Sequence, residues 1–221
     1  MKRKVLAGMM LVAACAQASV YDESYTVNTV IPNGNPVGVA FSENVSSADL
    51  PAGSVISGLT VGLDISGGYN GGLVAYLVAP NGTLVSLLDQ PGVSGSNPFG
   101  YSGSGLNVTL ADGSPNNIQS TSETAGSVFT GTYGAAGSLS SVNGVEADGN
   151  WTLFFANLSS GGANGELTSF TLNFTAVPEC KWWGLGSGLM LMGICGWRIW
   201  KEHCRLFRIS SRSIQGPNQE Q

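Results

Sequence analysis

The middle of this sequence has no basic residues. All nine lysines and arginines of the 221-residue chain lie within the first four positions or after Glu179, and the single histidine, His203, also lies near the C-terminus. The stretch from Ser19 to Glu179 contains twelve acidic residues and therefore has a net charge of −12. Nucleic-acid binding needs Lys and Arg to displace phosphate counterions, so this stretch is not expected to bind nucleic acid.

The same stretch lacks the side chains of several common catalytic sites. Without histidine or lysine it cannot form a Ser–His or Cys–His pair, a histidine zinc site or a lysine-based phosphate loop. The four cysteines, Cys15, Cys180, Cys195 and Cys204, all lie outside it, so no disulfide framework holds it. A glycosidase built on two carboxylates stays open, although the acidic residues are scattered without an obvious pair. We therefore expect a protein that is not an enzyme.

The N-terminus has the pattern of a secretory signal. Basic residues at positions 2–4 precede a short apolar run, residues 5–14, which is too short to span a bilayer stably. Ala16 and Ala18 supply the small side chains that a signal peptidase reads, which predicts cleavage after Ala18. The alternative is a lipoprotein signal, because the residues ending at Cys15 resemble a bacterial lipobox in which that cysteine is lipidated.

The C-terminal part predicts a membrane segment. An uncharged apolar run from Trp182 to Trp197 is followed by basic residues that include Arg198, Lys201 and Arg205. We predict a transmembrane helix at about residues 182–200, with these three residues as the membrane stop. Because positive residues stay on the cytoplasmic side, the acidic part of the chain is expected outside.

Val177, Pro178 and Glu179 directly precede this segment, and the arrangement resembles the PEP-CTERM sorting signal of Gram-negative bacteria. Cys180 stands where that motif normally has proline. The resemblance implies processing by an exosortase, which is a membrane cysteine protease, and a link to exopolysaccharide or biofilm systems. The expected location is the inner membrane in transit, and then the cell surface or the extracellular matrix.

The middle of the chain predicts an all-β domain. Apolar and polar residues alternate over several short segments, as in half-buried strands, and no segment shows sustained helical periodicity. These segments are Leu59–Ile65, Leu106–Leu110, Trp151–Phe155 and Phe170–Phe174, with an apolar run at Leu73–Val78, a turn at Pro80–Gly82 and a returning strand at Thr83–Leu88. Short strands joined by Gly- and Ser-rich loops favour an antiparallel β-sandwich or jelly roll.

The predicted organisation is a signal peptide at 1–18, the β-sandwich at 19–176, a sorting segment at 177–208 and a disordered cytoplasmic tail at 209–221.

The order of motifs in the sandwich resembles a known family. The motifs are Leu63-Asp64-Ile65, Tyr69-x-Gly71-x-Leu73-Val74, Leu77-x-x-Pro80-x-Gly82-Thr83, Gly149-Asn150-Trp151-Thr152-Leu153 and Gly165-x-Leu167-x-Ser169-Phe170. They are similar to those of the P domain (P/Homo B domain) that follows the subtilisin-like catalytic domain of proprotein convertases. The resemblance implies a galactose-binding-like sandwich that stabilises and tunes an attached protease and cuts no peptide bond itself.

The sequence departs from that family at polar positions. Gly67 stands where a histidine is common, and Gly72 stands where an aspartate is common. Asn157 replaces an aspartate, and Ala163 lies in a turn that is often acidic. The polar cluster of the family is therefore largely missing here.

The acidic loops suggest calcium as a cofactor, although the sequence establishes none. Asp112, Glu146 and Asp148 lie in loops of the kind that bind calcium in some relatives, and hard cations prefer several oxygen ligands in one place. The alternative is that these acids only keep the domain soluble. No stretch matches an EF-hand or a nonapeptide calcium repeat.

Two functions follow as hypotheses. The first is an exported, non-enzymatic surface module that binds polysaccharide or another surface protein, in which Tyr69, Phe99 and Tyr101 can stack on sugars. The same three rings can instead cover the ends of the sandwich. The second is an accessory P domain that stabilises a separately encoded subtilisin-like protease.

Overall fold

The computed structural model describes residues 17–46, 48–51, 53–122 and 124–178. These residues form an all-β domain with two sheets. Its strands are β1 (Ser19–Ile31), β2 (Asn35–Val45), β3 (Ser54–Gly67), β4 (Leu73–Val78), β5 (Leu84–Asp89), β6 (Gly105–Ala111), β7 (Phe129–Tyr133), β8 (Gly149–Asn157) and β9 (Gly165–Pro178). Short 3-10 turns lie at Asn70–Gly72 and Leu139–Val142.

The strand order is β1-β9-β3-β6-β7 in one sheet and β2-β8-β4-β5 in the other. Strands β3 and β9 pair along almost their whole length, from Ser54 opposite Pro178 to Gly67 opposite Gly165. Strand β8 lies between β2 and β4. Side chains from the inner faces of the two sheets pack against each other and form the core, as in other β-sandwiches.

Alternation predicted the inward faces of the central strands, and the structure confirms it. The inward residues of β3, β6, β8 and β9 are all buried. They include Leu59, Val61, Leu63, Ile65, Leu106, Val108, Leu110, Trp151, Leu153, Phe155, Phe170, Leu172 and Phe174. Because side chains alternate between the two faces of a strand, polar residues on the same strands point to solvent.

Trp151 is the largest side chain of this core and is only 1% exposed. Its ring stacks on Phe174 of the opposite sheet with centroids 5.8 Å apart. Its indole N–H donates a hydrogen bond to the Ala147 carbonyl at 3.0 Å. Phe174 also stacks on Tyr21 of its own sheet at 4.7 Å, so Trp151 packs against a pair of stacked rings on the facing sheet.

Strands β1, β2 and β7 lie in segments where alternation predicted no strand. Each is an edge strand with a single hydrogen-bonded neighbour. In β2 only Val45 is buried, and in β7 only Phe129 is buried. An edge strand that buries so little of its surface carries a weak apolar pattern, which explains why it was missed.

The expectation of a purely antiparallel sandwich is wrong at one pair. Strands β6 and β7 run parallel, with Leu106 opposite Phe129 and Leu110 opposite Tyr133. A parallel pair needs a long crossover connection, and residues 112–128 supply it. The first sheet is therefore mixed.

The last strand extends beyond the predicted domain end at residue 176. Val177 and Pro178 belong to β9 and lie opposite Val55 and Ser54 of β3. Two of the three residues of the predicted sorting motif are thus part of the sheet. Ala18 is exposed directly before β1, which begins at Ser19.

The other terminal predictions lie outside the described residues. They are Cys15, Ala16, Glu179, the transmembrane segment at 182–200 and the membrane stop at Arg198, Lys201 and Arg205. Within residues 17–178, apart from the three gaps, no helix is long and apolar enough to cross a bilayer.

Candidate functional site

Asp112, the first predicted calcium ligand, binds the chain itself. It follows β6 and accepts hydrogen bonds from the backbone N–H groups of Leu139 at 3.0 Å and Ser140 at 2.8 Å. The Ser138 hydroxyl donates a third hydrogen bond at 3.0 Å. Burial raises the pKa of Asp112, but these hydrogen bonds outweigh burial and hold the pKa below its ordinary value. Asp112 therefore anchors the 3-10 turn at Leu139–Val142.

Glu146 and Asp148 lie in the loop before β8. Glu146 is exposed and forms an isolated bridge with Val55, and Asp148 is half-buried. Across the described ranges, no three His, Cys, Asp or Glu side chains form a group that could hold a metal ion. Asp112 already accepts three hydrogen bonds from the chain, out of about four that a carboxylate can accept, which leaves it little free capacity to ligate an ion. Calcium binding stays a prediction. If calcium is bound, a chelator is expected to lower the melting temperature, and the Asp148→Asn variant is expected to lose this response.

Among the positions that depart from the family, Gly72 and Asn157 lie next to each other, and Asn157 belongs to a chain of neutral amides. A side chain at Gly72 would collide with Asn157 Oδ1 and lie 2.6 Å from Ser159 Cβ. Asn157 is fully buried, accepts from the Ser159 N–H at 3.0 Å and donates to Asn33 Oδ1 at 2.8 Å. Asn33 in turn donates to the carbonyls of Gly162 at 2.8 Å and Ala163 at 2.9 Å.

This amide chain holds the β8–β9 loop, residues 158–164, against the start of β2. The hydrogen bond from the Gly34 N–H to the Ser159 carbonyl, 2.8 Å long, adds to the same attachment. A neutral network in which each buried partner is satisfied fixes the loop. The sequence flagged Asn157 as a departure, but it gave no sign that Asn33 is its partner, because 124 residues separate them.

Three loops meet at this end of the sandwich and enclose an open cleft of about 530 Å³. They are the β3–β4, β5–β6 and β8–β9 connections. We name it the Phe99 cleft and define it by Tyr69, Gln90, Phe99, Leu158 and Ser159, with glycines and two further small residues completing the walls. No residue that lines the cleft within the described ranges is charged.

The sequence grouped Tyr69, Phe99 and Tyr101, and the structure brings only the first two to this cleft. Phe99 is 75% exposed and Tyr69 is half-buried. Tyr101 instead packs against Phe129, with ring centroids 6.1 Å apart, and its hydroxyl donates to the Gln119 carbonyl at 3.3 Å. Of the two alternatives left open for Tyr101, the structure shows the one in which the ring packs against the domain.

Gln90 and Leu158 were missed by sequence reasoning. Gln90 has a left-handed backbone with φ of +50°, which is uncommon for a residue other than glycine. Leu158 is 42% exposed immediately after the buried Asn157. Neither carries a local motif, because each becomes part of the cleft only when distant loops come together.

The fold and the cleft define the class of this protein as a two-sheet β-sandwich domain with a loop-built, uncharged cleft at one end. The proprotein convertase P-domain model matches residues 56–174, from β3 to β9. The chain belongs to this family, which confirms the resemblance seen in the sequence.

The chain is also similar to two crystal structures of a serine protease from Aeromonas sobria. The structure in complex with a chaperone has a TM-score of 0.48 at 14% identity, covering 75% of this chain and 28% of that chain. The structure of the protease has a TM-score of 0.44 at 14% identity, covering 72% and 27%. This chain thus spans less than a third of those chains. No curated protein matches it.

Proposed function

We propose that this protein is a non-catalytic accessory domain that binds and stabilises a separately encoded subtilisin-like serine protease. The observation that carries the proposal is the family match, which runs through the core strands from Ile56 to Phe174. The resemblance of the sequence to P domains implies this role, since these domains stabilise the catalytic domain beside them. In convertases the P domain and the catalytic domain are parts of one chain, whereas here the domain and the protease associate non-covalently.

The chemistry of the domain supports a binding role. No histidine or lysine lies between Ser19 and Pro178 to activate a nucleophile. Burial raises the pKa values of Tyr21 and Tyr25, whose hydroxyls lie 2.7 Å apart, so both stay protonated at neutral pH. The pKa of Asp112 is lowered, so this carboxylate stays charged. These shifts favour structural roles, since a general acid or base needs a pKa near the working pH.

Charge predicts the kind of surface that the protease presents. All charged side chains between Ser19 and Pro178 are acidic, so a basic face on the protease is complementary to this domain. Complementary charge speeds encounter more than it strengthens the final complex, and salt screens it. The association rate is therefore expected to fall as salt rises.

The test uses the full chain and a subtilisin-like serine protease from the same organism, each purified separately. We expect the chain to raise the melting temperature of the protease in proportion to its concentration, because a ligand of the folded state stabilises it by mass action. An unrelated protein of equal net charge is the control. An unchanged melting temperature for every such protease of the organism would contradict the accessory role.

A second candidate function concerns the location of the domain. We propose that it is exported and sorted to the cell surface or matrix, as a module of the envelope. Support comes from the position of the fold between the predicted processing points: β1 begins at Ser19, and β9 ends at Pro178. The partners in this proposal are an exosortase-type sorting protease, the membrane, and a matrix polysaccharide or another surface protein.

The intact mass and both termini of the natural protein test this location. A start at Ser19 with an end near Glu179 supports cleavage by a signal peptidase and an exosortase. An end at Gln221 contradicts processing and indicates a persistent C-terminal segment. A lipid mass on Cys15 contradicts cleavage after Ala18.

A further inference from the structure

The Phe99 cleft combines an exposed aromatic ring with a rigid support. The Asn97 side chain donates hydrogen bonds to the carbonyls of Gly100 at 2.8 Å and Gly92 at 3.2 Å. The Tyr101 N–H donates to the Pro91 carbonyl at 2.9 Å. The β5–β6 loop is therefore tied internally on both sides of Phe99, while the ring of this residue remains 75% exposed.

The β3–β4 connection also contacts the β5–β6 loop and holds it in place. The Gly71 N–H donates to the Tyr101 carbonyl at 2.8 Å. A side chain at Gly71 would collide with the Phe99 carbonyl and lie 2.7 Å from the Tyr101 nitrogen. This close approach positions Phe99 and Tyr69 at one cleft. Because the loop that carries this exposed ring is preorganised, little conformational entropy is lost when the ring binds a ligand.

Gln90 supplies a polar group to the cleft at a conformational cost. Its left-handed backbone is held by hydrogen bonds from its N–H to the Leu73 carbonyl at 2.8 Å and from the Val93 N–H to its carbonyl at 3.1 Å. Its side-chain amide makes no hydrogen bond to any described residue. A strained residue at a cleft is a reason to look for function there. An amide that both donates and accepts suits a ligand rich in hydroxyl groups.

We propose that the Phe99 cleft binds a neutral oligosaccharide. One face of a sugar ring carries C–H groups that pack on the negative face of an aromatic ring, and Phe99 and Tyr69 offer such faces. The sugar hydroxyls find Gln90, Ser159 and exposed glycine backbone. The volume is within the usual range for small-ligand sites, and an open cleft admits an internal segment of a longer chain.

Charge selects the class of saccharide. The lining is uncharged, and the surrounding domain carries acidic but no basic side chains. Uronic acid or sulfated polymers are repelled by this domain, whereas neutral ones are not. The proposal does not depend on the accessory role, because the cleft can hold a glycan whether or not a protease binds elsewhere.

The test titrates the full chain with neutral hexasaccharides, namely cellohexaose, laminarihexaose and mannohexaose, and with an alginate hexamer as the anionic probe. Binding is followed by isothermal titration calorimetry. We expect at least one neutral probe to bind and the alginate hexamer to bind at least tenfold more weakly. Absence of binding by all three neutral probes, or preference for alginate, overturns the proposal.

Variants at Phe99 separate ring stacking from general apolar contact. Phe99→Ala and Phe99→Leu are expected to weaken binding by about tenfold, and Phe99→Tyr to restore it, without loss of melting temperature. Val20→Ala is the control, because Val20 is 67% exposed in β1 and pairs with Thr175, near the end of β9 that lies away from the β8–β9 loop. Equal binding by Phe99→Ala and the unaltered chain overturns the proposal. Loss of protease association in Phe99→Ala, with no neutral probe bound, assigns the cleft to protein docking and overturns it as well.

Gln90→Gly gives a second, independent readout. Glycine accepts the left-handed backbone, so the variant is expected to keep its melting temperature while binding at least fivefold more weakly. Asn28→Gly is the matched control, since Asn28 has φ of +49° in β1 and does not line the cleft. Undiminished binding in Gln90→Gly shows that the side chain does not contact the glycan and contradicts this part of the proposal.

Discussion

Replacing Trp151 by alanine tests the core of the sandwich most directly. The indole is 1% exposed, stacks on Phe174 and donates to the Ala147 carbonyl. Removing a buried Trp side chain of this kind costs about 3–5 kcal/mol. The Ala147 carbonyl also loses its partner, which adds about 1 kcal/mol. The free energy of unfolding is therefore expected to fall by about 4–6 kcal/mol.

The assay is urea unfolding followed by far-UV circular dichroism, supported by thermal scans. A domain of this size loses about 2–4 °C of melting temperature for each kcal/mol, so a fall of roughly 8–24 °C is expected. Trp151→Phe keeps a buried ring but loses the hydrogen bond, and we expect a loss of about 1–3 kcal/mol.

Tyr76→Ala is the control for aromatic removal outside the core. Tyr76 is half-buried on β4, and its ring stacks on Phe154 with centroids 6.2 Å apart. Its removal is expected to lower the free energy of unfolding by about 1 kcal/mol. A loss below about 1 kcal/mol for Trp151→Ala would refute the inference that this residue joins the two sheets. Equal losses for Trp151→Ala and Tyr76→Ala would refute it too.

Three further predictions concern the amide chain, one carboxylate and the net charge. Asn157→Ala leaves Asn33 and the Ser159 N–H without their buried partner, so urea unfolding should show a loss of about 2–3 kcal/mol; no loss contradicts the structural role of the amides. The pKa of Asp112 is lowered on folding from 3.8, so its stabilising contribution is present above that value and lost as pH falls through the folded pKa. The stability difference between the unaltered chain and Asp112→Asn should then narrow between pH 7 and pH 3, and a constant difference contradicts this. Raising NaCl to about 0.3 M should raise the melting temperature, because salt screens repulsion among acidic residues that have no basic partners, and a fall contradicts it.

Prediction from the sequence succeeded where burial imposes a pattern. Strand β4 has the predicted bounds, Leu73–Val78, and the turn at Pro80–Gly82 joins it to β5, with Gly82 at φ of +85°. Central strands have a buried face along their whole length, so their apolar residues must repeat with a period of two. The edge strands β1, β2 and β7 have no such requirement, and their residues gave little signal.

The candidate site divides in the same way. Aromatic residues in Gly-rich loops are visible in a sequence, and Tyr69 and Phe99 were named from it. Whether such a ring covers the core or faces a cleft depends on its neighbours in space: Tyr101 packs against Phe129, and Phe99 does not. The left-handed backbone of Gln90 is equally hidden, because it is imposed by hydrogen bonds to Leu73 and Val93 rather than by its own preference.

The sequence by itself determined the all-β class, the central strands, the acidic character and the family, because alternation, composition and short motifs are local properties of the chain. The tertiary structure decided the parallel pairing of β6 with β7, the extension of β9 to Pro178 and the assembly of the Phe99 cleft. Each of these depends on contacts between residues far apart in the chain. Such contacts form only when loops are closed and the whole core is packed, so no local pattern encodes them.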